Sequence, residues 1–270
     1  MPFLEMISHP FMQRAFLSGA LLGVLLAYLG IFVTLRKMAF FGDGIAHSSL
    51  AGIAIAVMTG LAPLPVALVW AVIVALFIFW LERATRLASD TLIGIFFTAS
   101  MALGVLLMSF SRGYQPELLS FLFGSILAIQ NVDTYITIVV SAAIMGWLSY
   151  YFRSLAYMSL AEENAVIAGI NTKLYTAILY VALALATVLG VKILGVVLVS
   201  ALIILPSATS RMLTRSFRGY VALSLVISEL MIFTGLSVSY RYDLPSGATV
   251  DLVGTGFFFL ANVLRAVLAR

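Results

Sequence analysis

Residues 174–211 read LYTAILYVALALATVLGVKILGVVLVSALIILPSATSR, and Lys192 is the only charged residue before Arg211. A helix crosses the hydrocarbon core of a bilayer with about 20 apolar residues. The stretch therefore predicts two consecutive membrane spans, 174–191 and 193–211, with almost no loop between them at Lys192. The alternative is one span followed by broken half-helices.

The composition of the whole chain agrees with a membrane location. Of its 270 residues 63% are hydrophobic and 10% charged, and the mean hydropathy is +1.15. Soluble domains contain roughly 45–50% apolar and about 25% charged residues. The chain has no cysteine, which excludes disulfides, thiolate metal sites and cysteine nucleophiles. We expect an all-α, polytopic membrane protein with one transmembrane domain over residues 1–270.

Apolar stretches recur along the chain and predict eight or nine spans. Nine spans leave only short loops, so any soluble activity must come from partner chains. Eight spans with an interfacial or re-entrant segment at 117–131 are the alternative. The bounds of the nine are 14–35, 42–60, 64–82, 91–111, 132–152, 174–191, 193–211, 219–240 and 250–268.

The basic residues predict the orientation, because Lys and Arg tend to stay on the cytoplasmic side. With the N-terminus outside and the C-terminus inside, eleven of the fifteen basic residues fall in cytoplasmic segments. The four outer ones are Arg14, Arg112, Lys192 and Arg241. Basic loops facing anionic lipid headgroups account for the net charge of +4, so no nucleic-acid partner is expected.

Asp43 and His47 form the clearest candidate site. Ionisable groups within a membrane are costly and indicate function by default. Four residues apart on a helix, the two side chains share one face, and a carboxylate with an imidazole can ligate a divalent transition metal. Gly42, Gly44 and Ser48 keep the surroundings small. The alternative is that Asp43 caps the helix and His47 is a packing residue.

Two ligands are too few for a stable metal site. If two copies of the chain met on a two-fold axis near this face, four ligands would converge. The sequence leaves open whether the site lies within one chain or is shared. The predicted topology also puts Asp43 and His47 toward the cytoplasmic end of their span, whereas a transport site is expected nearer the midplane.

Other acids have more ordinary explanations. Glu229, in the middle of 219–240, is either a stepping stone for the cation or the partner of a hydroxyl or amide on a neighbouring helix. Asp90, after Ser89, and Asp133 precede apolar runs and fit helix N-caps.

A cytoplasmic segment at about 159–170 predicts a short helix. Ser159 and Glu162 have capping-box spacing, and Gly169 fits a helix terminator, which leaves about nine helical residues. One face of this helix carries small side chains and would fit a protein groove better than lipid, so we expect docking into a soluble partner. That face consists of Ala161, Ala165 and Ala168.

Missing motifs limit the chemistry of this chain. No G-x-x-x-x-G-K-[ST] phosphate loop, H-E-x-x-H or G-x-S-x-G is present in the sequence. We therefore expect neither ATP hydrolysis by a phosphate loop nor metalloprotease or serine hydrolase activity.

Five runs in a fixed order carry a resemblance to a known family. They are Arg36-Lys37-Met38-Ala-Phe-Phe-Gly42-Asp43-Gly-Ile-Ala-His47-Ser-Ser-Leu, Asp90-Thr-Leu-Ile-Gly94-Ile, Leu122-Phe-Gly124-Ser-Ile-Leu-Ala, Leu202-Ile-Ile-Leu-Pro206-Ser-Ala-Thr and Tyr242-Asp243-Leu-Pro245-Ser-Gly247. Together they resemble the permeases of bacterial ABC importers for zinc, manganese and iron, and are most similar to zinc-uptake permeases of the ZnuB type.

The resemblance implies a permease fold like that of the vitamin B12 importer, in the bacterial inner membrane. It implies a homodimer, two cytoplasmic ATPase subunits and an extracytoplasmic metal-binding solute receptor. High-affinity uptake of Zn²⁺, with Mn²⁺ or Fe²⁺ as the alternative, would proceed by alternating access, with no cofactor besides the transported metal.

The resemblance also implies roles for particular residues. Asp43 and His47 would be metal ligands along the pathway. The coupling-helix pattern E-A-A-x-x-x-G matches Glu163, Ala165 and Gly169, with Asn164 in place of the first alanine. Two other functions remain open: a proton-driven metal transporter that uses Asp43, His47 and Glu229 as a relay, and a membrane scaffold in which the Asp43 and His47 pair is structural.

Overall fold

The computed structural model describes residues 10–85, 87–110 and 131–268, and these residues form helices without any strand. Eleven helices lie within the described ranges. They are α1 (Pro10–Leu35), α2 (Phe41–Thr59), α3 (Pro63–Thr85), α4 (Ser89–Ser109), α5 (Asn131–Tyr150), α6 (Phe152–Leu160), α7 (Glu162–Ile167), α8 (Thr172–Leu194), α9 (Val196–Leu213), α10 (Phe217–Tyr242) and α11 (Ser246–Leu268).

The helices reproduce the predicted membrane architecture. Within the described ranges, eight are long and apolar enough to span a membrane. The pair α5 and α6 bends by 69° and makes a ninth if it is taken as one span. Both predicted span counts therefore remain compatible with the helices. Residues 117–130 of the predicted re-entrant segment lie outside the described ranges.

The stretch 174–211 forms two helices, but the break lies at Gly195 and not at Lys192. Gly195 has φ 86° and ψ 161°, a backbone conformation that side-chain-bearing residues avoid. Lys192 instead lies in the last turn of α8. The two helices have 23 and 18 residues, so each is long enough to cross and the half-helix alternative is wrong.

Helix packing divides the bundle into two groups that share α1 and α8. On one side α2 packs against α3, α4 and α8, and on the other α9 packs against α1, α10 and α11. The outermost helices are α4 and α11, in which only 22% and 17% of the apolar window is buried. Their remaining apolar surface is available to lipid or to another chain.

Two hydrogen bonds between side chains or from a side chain to a backbone carbonyl connect neighbouring helices inside the bundle. Thr34 Oγ1 and Ser207 Oγ lie 2.5 Å apart between α1 and α9. Ser228 Oγ on α10 donates to the carbonyl of Gly23 on α1, at 2.9 Å. Hydrocarbon offers no water to these groups, so they are satisfied within the protein.

Candidate metal-binding site

Asp43 and His47 line one cleft of about 500 Å³ between α2 and α4. They lie one turn apart in the first two turns of α2, so the shared face predicted from their spacing is present. Apart from Asp43, His47 and Asp90, the lining of the cleft is apolar. The other lining residues are Phe40, Gly44, Asp90, Ile93, Gly94 and Phe97.

The position along α2 keeps the pair near one end of the bundle. His47 is the seventh residue of a 19-residue helix that begins at Phe41, which places it roughly 9 Å along the axis. This is the end at which Arg36 and Glu162 meet. The pair thus lies in the predicted cytoplasmic half of the span, with Asp43 near its end and His47 closer to its middle.

Asp43 is held by a residue that the sequence analysis did not single out. Ser200 Oγ on α9 donates a hydrogen bond to Asp43 Oδ1. The helix dipole also favours a carboxylate in a first turn. Asp43 is not the N-cap, because the residue before α2 is Phe40. Ser200 is 157 residues away within an apolar run, so no local signal indicated it.

His47 is positioned by an aromatic ring from the opposite wall of the cleft. Its ring and that of Phe97 meet edge to face, with centroids 4.9 Å apart and an interplanar angle of 86°. His47 and Asp43 are both half-buried. The two side chains are therefore supported by different helices, His47 by α4 and Asp43 by α9.

Glycines let α2 approach both of these helices. A Cβ on Gly44 would lie 2.5 Å from Ile93 Cγ2 on α4. A Cβ on Gly42 would lie 2.8 Å from Ile203 Cδ1 on α9. The expected close approach around Asp43 is therefore present, and it is made by helix backbones.

Asp90 belongs to the cleft, although the sequence analysis treated it as a helix cap. Helix α4 begins at Ser89, and its N-cap residue is Ala88, so the predicted cap is wrong. Asp90 lines the cleft, and its Oδ1 is buried without a hydrogen-bond partner among the described residues. The spacing of Asp90, Ile93, Gly94 and Phe97 on one helical face was the signal that could have placed it there.

Asp133 does not precede its helix either. Helix α5 is described from Asn131 onward, so Asp133 lies within the helix. The N-cap predicted there is also wrong.

Asp43 and His47 by themselves do not complete a metal shell. Over 10–85, 87–110 and 131–268, no three or more His, Cys, Asp or Glu side chains come together as metal ligands. Asp43 and His47 would therefore supply two ligands per chain if they bind a metal, and further ligands would have to come from elsewhere.

Glu229 lies on a different side of the bundle. Helix α10 packs mainly on α1, α9 and α11, whereas α2 and α4 form the cleft. Glu229 Oε1 would be 3.2 Å from a Cβ on Gly23, and it is buried with no hydrogen-bond partner in the described part of the chain. A role along the pathway stays a prediction.

The segment at 159–170 is folded differently from the predicted single helix. Ser159 lies in the last turn of α6, and α7 begins only at Glu162. The N-cap residue is Ala161, whose extended backbone separates the two helices, so the predicted capping box is wrong. Ser159 Oγ is buried, and no partner for it occurs among the residues that the structure describes.

Gly169 terminates this segment as predicted. It has φ 78°, the amide of Gly169 donates to Val166 O and that of Ile170 donates to Ala165 O. These two bonds form a Schellman motif, which requires the left-handed conformation that glycine adopts without strain.

The three alanines of the small face do not share one environment, since Ala161 is partly buried, Ala165 is buried and Ala168 is exposed. Ala165 is fully buried in the core of the bundle, so the prediction that it faces a partner's groove is wrong. The exposed side chains of α7 are Glu162, Glu163, Asn164, Val166 and Ile167.

Comparison with known proteins now identifies the family. The model of the ABC 3 transport family matches residues 8–265. The chain belongs to the ABC 3 transport family. This confirms the resemblance to permeases of metal ABC importers.

Curated members of the ABC 3 family with similar sequences are described for two metals. The chain is 33% identical to the high-affinity zinc uptake system membrane protein ZnuB of Haemophilus influenzae, over 93% of this chain and 96% of that protein. It is 32% identical to the manganese transport system membrane protein MntC of Listeria monocytogenes, over 97% and 93%.

Solved structures confirm the ABC permease fold. The chain matches one chain of PsaBC from Streptococcus pneumoniae in complex with Fab, with TM-score 0.84, 30% identity and coverage of 96% and 94%. A metal-chelate type ABC transporter in an inward-facing conformation matches with TM-score 0.75 at 15% identity, over 97% and 89%, and shares the fold alone.

Proposed function

We propose that this ABC 3 family member is the membrane-spanning subunit of an importer that carries Zn²⁺ into the cytoplasm, driven by ATP hydrolysis on partner chains. The observation that supports it is the pair Asp43 and His47, side by side in a cleft of a helical permease. The relatives described as zinc and manganese transport proteins support the choice of a divalent transition metal.

The ligand chemistry favours zinc as the cargo. Two copies of Asp43 and His47 would supply two carboxylates and two imidazoles. Four such ligands match the tetrahedral shell that Zn²⁺ adopts, whereas Mn²⁺ favours oxygen ligands and six-coordination. The identities to zinc and manganese relatives differ too little to decide the metal.

A homodimer would complete the shell. Beyond the cleft, the outward face of α4 exposes Met101, Val105 and Leu106. This apolar surface is continuous with the cleft through Phe97. A second copy packed there across a two-fold axis would bring its own ligands toward Asp43 and His47.

Energy would reach the cleft through protein contacts. The exposed Glu163, Val166 and Ile167 of α7 would enter a groove on a cytoplasmic ATPase subunit. An extracytoplasmic receptor would deliver the metal at the opposite end. ATP-driven movement of α7 would then alternate the access of the cleft.

The test is metal uptake by cells that lack their own zinc and manganese importers. Asp43→Ala and His47→Ala should abolish Zn²⁺ uptake while the complex still assembles, because the cleft loses a ligand. The matched control is His9→Ala, the only other histidine in the sequence, which should transport normally. Excess Mn²⁺ or Fe²⁺ should compete weakly with Zn²⁺.

Three results would contradict the proposal. Normal uptake by both cleft variants would exclude the site. Preferential uptake of Mn²⁺ would overturn the choice of metal. Uptake into vesicles that have a pH gradient and no ATPase would identify a proton-driven transporter instead.

A further inference from the structure

Arg36 joins three helices at the end of the bundle where the cleft lies. Its Nη2 is 3.6 Å from Oε2 of Glu162, the first residue of α7. Its Nη1 donates to Thr176 Oγ1 on α8, at 2.9 Å. Arg36 directly follows α1, so its guanidinium connects the end of α1 to both α7 and α8.

The chain segment between Arg36 and the cleft is short, and backbone hydrogen bonds hold it in place. Lys37 takes the left-handed conformation, with φ 58°, and Met38 N bonds back to Val33 O at 3.0 Å. Phe41 N then bonds to Met38 O at 3.1 Å, which starts α2. Met38 is 1% exposed and anchors this turn in the core.

The end of this turn forms part of the cleft. Phe40 lines the cleft beside Asp43, and its carbonyl accepts a bond from Gly44 N at 2.8 Å. A displacement of Arg36 must therefore move the first turn of α2 as well.

The two members of the ion pair differ in their access to water. The side chain of Arg36 is 12% exposed and that of Glu162 is 49% exposed. A buried cation that loses its counter-ion is costly, whereas a half-exposed carboxylate can be solvated. If α7 moves, Arg36 has to move with it, because its largely buried guanidinium cannot reach water by a change of side-chain direction alone.

We propose that the Arg36–Glu162 ion pair is the positioning link through which movement of α7 reaches the Asp43 and His47 cleft. The inference rests on the proposed function. It assigns different tasks to neighbouring acids: Glu162 faces inward to Arg36, and Glu163 faces the ATPase.

The test uses the complete importer, with permease, ATPase and receptor reconstituted in proteoliposomes, and measures Zn²⁺ transported per ATP hydrolysed. Glu162→Gln should keep the complex assembled but lower this ratio by at least about fivefold, within the range of pairwise coupling. Arg36→Gln should do the same, and the double swap Arg36→Glu with Glu162→Arg should recover part of the ratio.

Two further variants distinguish loss of the Arg36–Glu162 link from loss of ATPase docking and from a general effect of removing a charge. Glu163→Arg should lose the ATPase subunit in a pull-down, which Glu162→Gln should not. Lys173→Gln changes an exposed charge at the same end of the bundle and should leave the ratio unchanged.

Any of three results would overturn the Arg36–Glu162 link. The ratio of Zn²⁺ transported to ATP hydrolysed could be unchanged in Glu162→Gln, the double swap could recover none of that ratio, or loss of assembly could be the only defect. If the unaltered complex moves no metal at all, the proposed function fails instead. Glu162 is half-exposed, so Glu162→Gln remains informative even if Arg36→Gln does not fold.

Discussion

At the residue scale, the candidate site depends on side chains that orient its ligands. Asp43 accepts from Ser200, and His47 packs on Phe97. Groups that hold a metal ligand commonly affect metal affinity about 10- to 100-fold. We expect Ser200 to matter more than Phe97, because its hydrogen bond fixes the direction of a carboxylate on another helix.

Ser200→Ala should raise the KM for Zn²⁺ uptake roughly tenfold or more, since Asp43 loses the donor that orients it. Ser200→Thr keeps a hydroxyl and should retain most of the affinity. The control is Ser237→Ala, which removes an exposed hydroxyl bonded to Phe233 O within α10. Equal KM values for Ser200→Ala and the unaltered chain would show that Asp43 needs no such support.

At the element scale, α2 is a tightly packed wall between α4 and α9. Gly44 permits the approach to α4, as Gly42 does to α9. Well-packed interiors yield little to added volume. The width of the cleft is therefore set by glycine backbone as much as by its polar side chains.

Gly44→Ala should destabilise the protein by about 1–3 kcal/mol, because the new methyl would overlap Ile93. The measurement is the apparent melting temperature in detergent. Gly146→Ala, at a site in α5 where a Cβ meets no described atom within 4 Å, should be neutral or stabilising. The double variant Gly44→Ala with Ile93→Ala should recover part of the loss, and a melting temperature unaffected by Gly44→Ala would contradict the packing.

At the scale of the whole molecule, the orientation in the membrane is a prediction from the distribution of charge. The basic residues predict that the N-terminus and the α2–α3 turn lie outside. The α3–α4 turn should then lie in the cytoplasm. The absence of cysteine makes this directly measurable, because a single introduced thiol has no background.

Leu61→Cys should react with a membrane-impermeant maleimide in intact spheroplasts, and Leu87→Cys only after the membrane is permeabilised. Both positions are exposed turn residues, at 59% and 46%. A difference in labelling between them would therefore not come from burial within the fold. The opposite labelling pattern would invert the topology and place the Arg36 end of the bundle outside.

Much of the architecture could be predicted from local sequence. Hydropathy located the spans, because each helix crossing hydrocarbon must be apolar over its own length. The four-residue spacing placed Asp43 and His47 on one face, and Gly169 marked a helix end, since both depend on local helix geometry. Local capping patterns failed at Asp90 and Asp133, which lie inside their helices, and at Ser159, which lies in the last turn of α6. A capping pattern alone does not fix the residue at which a helix begins.

The sequence by itself determined a polytopic helical protein of the metal permease type with two candidate ligands in one helix. Only the tertiary structure decided that Ser200 holds Asp43, that Asp90 shares the cleft, and that Arg36 joins Glu162. These pairings connect helices far apart along the chain. Hydropathy and spacing act within one helix, whereas a contact between helices depends on how the whole bundle packs.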